Sequence, residues 1–440
     1  SRLVAQDILK LADNDRAQAP ILSQGLLAAN IDADDAALSA LPSGIGNSEY
    51  PASGYLCIGG KEIVSFTRSA DAFTISRGQL GTEAVAHTAD ERLQLVLRYE
   101  GEDPANIIAD LLENYAGVPS SFIPVAAWLN ETGNFLQRVY TGTITEPTGV
   151  NKLISELIEQ AALAVWWDDA QQVIRLQVLR QIATNADRFD EGNILETTFR
   201  TKEQPEKRLS QVWTYFGQRD PTRKLDQIDN YRSAAATVDL QSQSDYGAAA
   251  IKKIFSRWIP FGGRSVALRL NDIILGRYVT PPRRFEWELL KIRDDGSPQT
   301  ISPGGGYRVE GWSLQDLSGA MVDVPVQVTT INPMADRIRV EAEEAIFRPF
   351  DPDDLTNRVI IVDSHFNNFN LLTAHNSIFP EATDEDVLAG VNLTCIIEAG
   401  VIVGSTSTST PAFVVPDDWP TGLPITLRVV GRIQGKGGRG

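Results

Sequence analysis

The sequence predicts a protein of the α+β class in which β-structure predominates. Short runs of alternating apolar residues, such as YLCIGG and EIVSFT between Tyr55 and Thr67, are separated by glycine and polar turns, as in antiparallel strands. Two helical patterns, over 103–115 and 150–162, interrupt these runs. Beyond Ser302 the helical pattern fades, and that part is expected to be all-β with loops.

The two helical patterns carry their own boundary signals. Asp103 is placed as the N-cap, Pro104 as the first helical residue and Gly117 as the stop. The second pattern leads directly into AVWWDDAQQVIRLQVL, a predicted hairpin that turns at Asp168 and Asp169. Together these elements predict an α+β insert between two strand-rich parts.

The remaining chain divides by composition. Residues beyond 197 are again strand-rich, with two further helices predicted around 248–259 and 265–278. At the carboxy-terminal end, GRIQGKGGRG has five glycines in ten residues. The predicted domains are a first β-domain over 1–100, the insert over 101–196, a second β-domain over 197–335, a β-rich domain over 336–430 and a glycine-rich segment over 431–440.

Composition excludes several classes of function. A formal net charge of −17 argues against a nucleic-acid reader, because phosphate contacts need clustered Lys and Arg. An acidic wall would instead repel a passing duplex, although solubility alone explains the charge as well. Cys57 and Cys395, the two cysteines, lie in separate apolar runs and are expected to be buried free thiols, as suits synthesis in a reducing cytoplasm.

Residues with catalytic or metal-binding chemistry are few. His365 and His375 could hold a metal, but ordinary loop histidines are favoured. Asp168 and Asp169 beside two tryptophans suggest a glycoside hydrolase, yet neighbouring strand residues point to opposite faces, so a turn explains them better. We therefore expect no catalytic residue, no cofactor and no metal.

The most informative stretch is FTISRGQLGTEAVAHTADERLQLV, residues 73–96. Its glycines permit positive φ angles at two turn points. A packed structural turn is favoured, and a joint catalytic role for the polar members is the weaker alternative. The motif residues are Arg77, Gly78, Gly81, Thr82 and His87.

With the preceding PASGYLCIGGKEIVSFT, this stretch resembles the small β-module that recurs in bacteriophage tail proteins, although Lys61 stands where the family commonly has Gly or Asp. EGEDPANIIADLLENYAGV resembles the helix that opens the insert of tail hub proteins. STPAFVVPDDWPTGLPITLRVVGRIQGKGGRG resembles the passage of phage central-fibre proteins from a β-domain into a glycine-rich fibre. This transition would be marked by Trp419, Pro420, Gly431, Gly435, Gly437 and Gly438.

The resemblance is to the tail-tip hub and central-fibre family of long-tailed phages. It implies two barrel-like β-domains in a homotrimer whose six barrels match the sixfold tail tube, with the central fibre starting near Asp336. Such a hub closes the tube and serves host attachment and DNA delivery at the virion tail tip. Some relatives bind an iron–sulfur cluster through several cysteines, which a chain with two cysteines cannot do.

The resemblance also implies partners. They are further copies of the chain, the distal tail protein, the tape-measure protein, other tail-tip proteins, a host surface receptor and viral DNA in passage through the lumen. Two rival functions stay open. One is a receptor- or polysaccharide-binding adhesin that uses Phe366, Phe369 and Trp419 as exposed contacts. The other is a cell-wall glycoside hydrolase that uses Asp168, Asp169 or the carboxylates of 103–113.

Overall fold

The computed structural model of the protein describes residues 8–168, 171–293, 295–311, 313–316, 318–347 and 353–436. Strands hold more of these residues than helices, which confirms the predicted α+β class with β-structure predominant. No helix within these ranges is long and apolar enough to cross a membrane. The α-helices described are Ile45–Glu49, Pro104–Asp110, Val125–Phe135, Val150–Ala161, Leu240–Tyr246, Arg264–Tyr278, Asp353–Thr356, Leu371–Asn376 and Asp384–Leu388.

Six antiparallel strands near the amino terminus form a closed barrel, the first barrel. Their spatial order is Leu26–Leu27, Ala37–Leu41, Ala72–Ser76, Glu62–Ser69, Ser53–Ile58 and Leu93–Leu95. The outer strands meet, because Leu26 bridges Arg92 and Ile31 bridges His87. The barrel encloses its own core of alternating apolar side chains, among them Leu56, Val64, Phe66, Phe73 and Ile75.

A second barrel is built from strands that are far apart in the sequence. Their spatial order is Arg188–Phe189, Gly306–Val309, Val324–Pro333, Arg337–Glu344, Arg283–Leu290 and Arg200–Glu203. The barrel closes because Ile194, which follows the strand Arg188–Phe189, forms a bridge with Leu289 on the strand Arg283–Leu290. The second β-domain was predicted over 197–335, and the barrel also includes Arg188–Phe189 before it and Arg337–Glu344 after it. The core of the barrel includes Phe285, Trp287, Val326 and Val340.

The insert between the barrels follows the sequence prediction closely. The Asp103 carboxylate accepts the Ala105 N–H at 2.8 Å, and Pro104 opens the helix, which continues as a π-helical turn over Leu111–Tyr115. The predicted hairpin is present as Leu163–Asp168 paired with Val173–Val178. Val125–Phe135 is a helix that the sequence pattern did not reveal. Further strand pairs join Leu97–Glu102 to Tyr140–Ile144 and Gln18–Ala19 to Thr148–Gly149.

A central sheet lies beside the insert, with strands in the order Tyr231–Val238, Gln211–Gln218 and Ile251–Phe255. The helix predicted over 265–278 is confirmed as Arg264–Tyr278 and packs on this sheet. The helix predicted over 248–259 is wrong, because that segment supplies the third strand. Phe255 stacks on Tyr215 of the neighbouring strand at 5.0 Å, and this cross-strand packing outweighs the local helical pattern.

The carboxy-terminal part is a stack of three coils, called the coil stack, in which equivalent strands of successive coils pair in parallel. One sheet contains Asn357–Val362, Asn392–Ile397 and Ile425–Val429, and a second contains Phe366–Asn367, Ile402–Gly404 and Arg432–Gln434. Phe369–Asn370 and Phe413–Val414 form a third pair. The expectation of all-β structure with loops is incomplete, since the short helices Leu371–Asn376 and Asp384–Leu388 are capped by Asn370 and Thr383.

The coil stack is docked on the central sheet and its helix. Phe366 stacks on Phe261 with ring centroids 4.8 Å apart, and Arg264 forms an ion pair with Glu398 at 2.7 Å. The Ser265 hydroxyl donates to the Val359 carbonyl at 2.8 Å. One continuous apolar core runs through the insert, the central sheet and the coil stack. The coil stack is therefore packed onto the rest of the chain.

Candidate functional site

The Arg77–His87 turn motif surrounds a buried carboxylate, Glu62, on a strand of the first barrel. Its Oε1 accepts from Arg77 Nε at 2.9 Å and from the Gly78 N–H at 2.8 Å. Its Oε2 accepts from Arg77 Nη2 at 2.8 Å and from the Val85 N–H at 3.0 Å. Burial raises the pKa of Glu62, but these donors and His87 outweigh it and hold the pKa at about 2.

His87 extends this cluster of charges to a second carboxylate. The buried imidazole places Nε2 at 3.1 Å from Glu62 and Nδ1 at 2.7 Å from Glu91, so that both ring nitrogens face carboxylate oxygens. Lys61 pairs with Glu91 at 2.9 Å from the outside. The lysine that departs from the family pattern is therefore part of the cluster. Removal of one partner would leave an uncompensated buried charge, so the cluster should contribute to the stability of the barrel.

Thr82 and Gly81 of the motif have different structural roles. Thr82 Oγ1 accepts the Ile63 N–H at 3.0 Å and donates to the Gln79 carbonyl at 2.8 Å, which ties the turn to the strand. Gly81 has φ +93°, and a Cβ there would lie 1.8 Å from the Arg219 carbonyl oxygen. Sequence reasoning explained this glycine by turn geometry alone. The structure adds a close contact between the first barrel and the loop after the central sheet's middle strand.

The coil stack is the second candidate site, and its geometry follows from the parallel register. Ile360, Cys395 and Leu427 occupy equivalent positions on successive strands, one above the other. Val362, Ile397 and Val429 form a second such column. The first two members of each column are fully buried, whereas Leu427 is 40% and Val429 is 45% exposed. The third coil thus presents apolar side chains that no fourth coil covers within the described residues.

Between the first and second coils lies a buried polar cluster centred on Arg358. Its Nη2 pairs with Asp386 at 2.9 Å and its Nη1 lies 3.1 Å from His375 Nε2. Burial lowers the pKa of His375 to about 4, and the neighbouring Arg358 adds to this, so that the ring is neutral at pH 7. Trp419 packs edge-on against His375 at 5.2 Å. The cluster therefore locks the strand Asn357–Val362 to the two short helices.

Of the aromatic contacts predicted for an adhesin, Phe369 is wrong because it is buried, whereas Phe366 and Trp419 are partly exposed. Phe366 stacks on Phe261, Phe369 is 2% exposed and stacks on Phe413 at 5.3 Å, and Trp419 packs on His375. Phe369 is therefore not available for binding, and Phe366 and Trp419 each have one side covered by another ring. The sequence pattern showed that they were aromatic but not which side of the sheet they occupied.

The described residues predicted to mark a fibre transition lie before, in and just after the third coil. Gly431 stands at the turn between its two strands, where a Cβ would come within 2.4 Å of the carbonyl oxygens of Glu398 and Val401. This glycine is required by packing. Pro420 precedes the third coil, and Gly435 follows its last strand with open space around it. Gly437 and Gly438 lie outside the described residues, and the fibre transition itself stays a prediction.

Residues weighed for catalysis or metal binding have other partners. Asp168 pairs with Arg175 at 3.0 Å in the hairpin, whereas Asp169 lies outside the described residues. His365 Nδ1 accepts the Ile402 N–H at 3.0 Å, away from the Arg358 cluster that holds His375. Of the 103–113 carboxylates, Asp103 caps its helix and Asp110 accepts the Tyr99 hydroxyl. In the ranges that the structure covers, no group of three or more His, Cys, Asp or Glu could hold a metal ion.

Comparison with known families gives one match, which falls on the coil stack. Residues 357–440 match the family described as phage tail fibre adhesin Gp38. The match covers 84 of the 440 residues and supports a phage tail-tip or tail-fibre protein family. This confirms the recognition made from the sequence, and it supports a structural or adhesive component of the virion tail that serves host attachment. No curated protein matches the chain.

Several solved structures show a distant likeness. A 43 kDa tail protein of prophage MuSo2 from Shewanella oneidensis is 10% identical, with a TM-score of 0.34, over 72% of this chain and 93% of that chain. A tail protein from Neisseria meningitidis MC58 is 11% identical, with a TM-score of 0.36, over 74% and 93%. Prophage tail protein gp18 from Listeria monocytogenes EGD-e is 9% identical, with a TM-score of 0.31, over 76% and 97%. At these scores the likeness carries no argument about this chain.

Proposed function

We propose that this protein is the homotrimeric hub of the tail tip, which closes the tail tube, starts the central fibre and takes part in DNA delivery. One observation carries the proposal: a tail-fibre domain is packed directly onto a body that contains two closed barrels. Three copies would supply six barrels for a sixfold tube. The net charge of −17 suits a lumen through which DNA passes without binding.

The docking surface supports transmission of force from a fibre to the hub. The Ile361 N–H donates to the Gly262 carbonyl at 3.4 Å, the Ser233 hydroxyl pairs with Asp363 at 2.5 Å, and the Val139 N–H donates to the Ile378 carbonyl at 3.0 Å. These bonds come from the central sheet, the segment before its helix and the insert. A load on the coil stack would therefore reach the body through several elements at once.

In the virion, the proposal places the chain against the distal tail protein, the tape-measure protein and other tail-tip proteins. The first test is the mass of the purified chain by multi-angle light scattering. A hub gives a particle of three times the chain mass of 48.2 kDa, and electron-microscopic averages down its axis show six barrels around a channel. A monodisperse monomer that also fails to join tail tips assembled in vitro contradicts the proposal.

A second candidate function, receptor or polysaccharide binding, is favoured by the family match over residues 357–440. It would act through the exposed outer surface of the coil stack, to which Phe369 does not contribute because it is buried. Binding of the full chain to intact host envelopes, competed by purified surface polysaccharide, supports this function. A trimer that assembles into tail tips but binds no envelope fraction leaves the hub function alone.

A further inference from the structure

The coil end, made of the strands Ile425–Val429 and Arg432–Gln434, differs from the opposite end of the coil stack. At that opposite end, Gly262 and Ser265 of the body bond to the backbone of the strand Asn357–Val362. At the coil end, each strand pairs with a neighbour on one side only, within the part of the chain that the structure describes. Such an unpaired edge is a template on which another strand can pair.

The side chains at the coil end continue the apolar columns of the coils beneath. Leu427 and Val429 follow Cys395 and Ile397, which are both fully buried. In the second sheet, Ile433 follows the buried Val403 and is 38% exposed. Cys395, Ile397 and Val403, which each have a paired strand above them, are fully buried. The exposed third tier has the same chemistry as the tiers beneath it and lacks such a cover among the described residues.

Charge distinguishes the strand that would fit. Arg428 stands between Leu427 and Val429 in the sequence and so points to the other side of the strand, and Arg432 and Lys436 are exposed nearby. Neither arginine forms an ion pair with a described residue. A second copy of the coil end would bring these cations together and repel. A strand with apolar residues at alternate positions and acidic residues between them would cover the apolar columns and form ion pairs with Arg428.

We propose that the coil end is an acceptor site for an extended polypeptide strand of alternating apolar and acidic residues, which pairs in parallel with Ile425–Val429. The strand-on-strand pairs within the coil stack are all parallel, so this orientation continues their hydrogen bonding. The apolar residues of the incoming strand cover Leu427 and Val429, and its carboxylates lie beside Arg428. The inference goes beyond the hub function and stands whether the chain is a trimer or a monomer.

The test uses the full chain and a fluorescent eight-residue peptide that alternates valine and glutamate. Fluorescence anisotropy should show saturable binding that weakens with salt. The double variant Leu427→Asp with Val429→Asp should weaken binding by about tenfold or more, because two apolar contacts are lost. Leu388→Asp is the matched control, since Leu388 is 88% exposed on a helix outside the coil end, and it should leave binding unchanged.

Charge and self-association are tested in parallel. Arg428→Glu should weaken binding of the glutamate peptide and strengthen binding of the same peptide made with lysine. Circular dichroism establishes that each variant is folded. Three results overturn the inference. They are the absence of saturable binding, equal binding of the two peptides, and self-association by light scattering that the Leu427→Asp, Val429→Asp variant abolishes, which assigns the coil end to a second copy.

Discussion

The two barrels and the coil stack differ in whether the edges of their sheets are paired. In the barrels, bridges such as Leu26 to Arg92 and Ile194 to Leu289 join the first and last parts of each sheet. In the coil stack, one edge rests against the body, and the other ends at Ile425–Val429 with its apolar tier exposed. Closure pairs the backbone N–H and C=O groups of a barrel's edge strands within the chain. The coil stack, in contrast, has an edge that a further strand can extend.

This difference separates two kinds of structural part within one chain. A closed barrel has a finished core, and its stability depends on internal packing and on the charge cluster at Glu62. The coil stack adds tiers of similar chemistry, so its outermost tier depends on what lies above it. The first barrel should therefore be stable by itself, and the coil end should be open to a further strand.

The largest expected effect is in the first barrel, on replacement of Glu62 by Gln. This leaves Arg77 and His87 without their shared carboxylate, and the free energy of unfolding of the barrel should fall by about 3–5 kcal/mol. Hydrogen exchange of peptides from 53–95 measures it locally. The matched control is Glu100→Gln, because Glu100 is a 62% exposed partner of Arg98. That variant should cost less than about 1 kcal/mol, and equal effects would refute the structural role of the cluster.

The next effect compares two tiers of one column in the coil stack. Ile397→Ala in the buried second tier should cost about 2–5 kcal/mol, because it leaves a cavity. Val429→Ala in the exposed third tier should cost less than about 0.5 kcal/mol. Urea unfolding followed by tryptophan fluorescence gives both values. A large cost at Val429 in the isolated chain would show that its tier is already covered.

Acid should loosen the two regions in different pH windows. Because the pKa of His375 is lowered to about 4 in the fold, the coil stack should lose stability as pH falls from about 6.5 toward 4. Because the pKa of Glu62 is lowered to about 2, the first barrel should keep its stability above the unfolded value of about 4.3 and lose it as pH falls toward 2. Each loss is on the order of 3 kcal/mol.

Region-resolved hydrogen exchange after acid pulses checks these windows. His375→Gln should abolish the loss of stability in the higher pH window alone. Glu62→Gln should abolish the loss in the lower pH window alone, so that each variant controls for the other. Loss of both regions in a single transition would mean that the barrel and the coil stack unfold as one unit.

The smallest expected effect concerns the two buried thiols. Burial raises the pKa of Cys57 and of Cys395 to about 12, so both should react slowly with a thiol reagent at pH 8. Cys395 lies one strand from the open edge, and we expect it to react about tenfold faster than Cys57 through local opening. The single variants Cys57→Ser and Cys395→Ser assign the two rates. Faster reaction of Cys57 would contradict the comparison.

Local signals in the sequence predicted several elements correctly. The Asp103 cap and the hairpin through Asp168 depend on neighbours in the sequence, and both are present. Errors arose where distant contacts decide the structure. The segment around Phe255 is a strand because of Tyr215, and Phe369 is buried because it packs against Phe413.

The candidate sites show the same division. Arg77 and His87 were recognised from their spacing, but their shared partner Glu62 lies on another strand and was not placed among the motif residues. An Asp or Glu inside an otherwise apolar strand, as in KEIVSF, is a signal that could have identified it. The tier at Leu427 had no comparable signal, because its exposure depends on which of the described strands pair with it and not on its own sequence.

The sequence by itself determined the α+β class, two of the insert helices, the resemblance to phage tail proteins and the residues of the turn motif, because caps, turns and strand alternation act over a few residues. The tertiary structure decided the closure of the two barrels, the parallel register of the coil stack and the exposure of its last tier. Leu26 and Arg92, or Ile360, Cys395 and Leu427, meet only after the chain has folded. Contacts over such separations depend on packing of the whole chain, which local patterns do not contain.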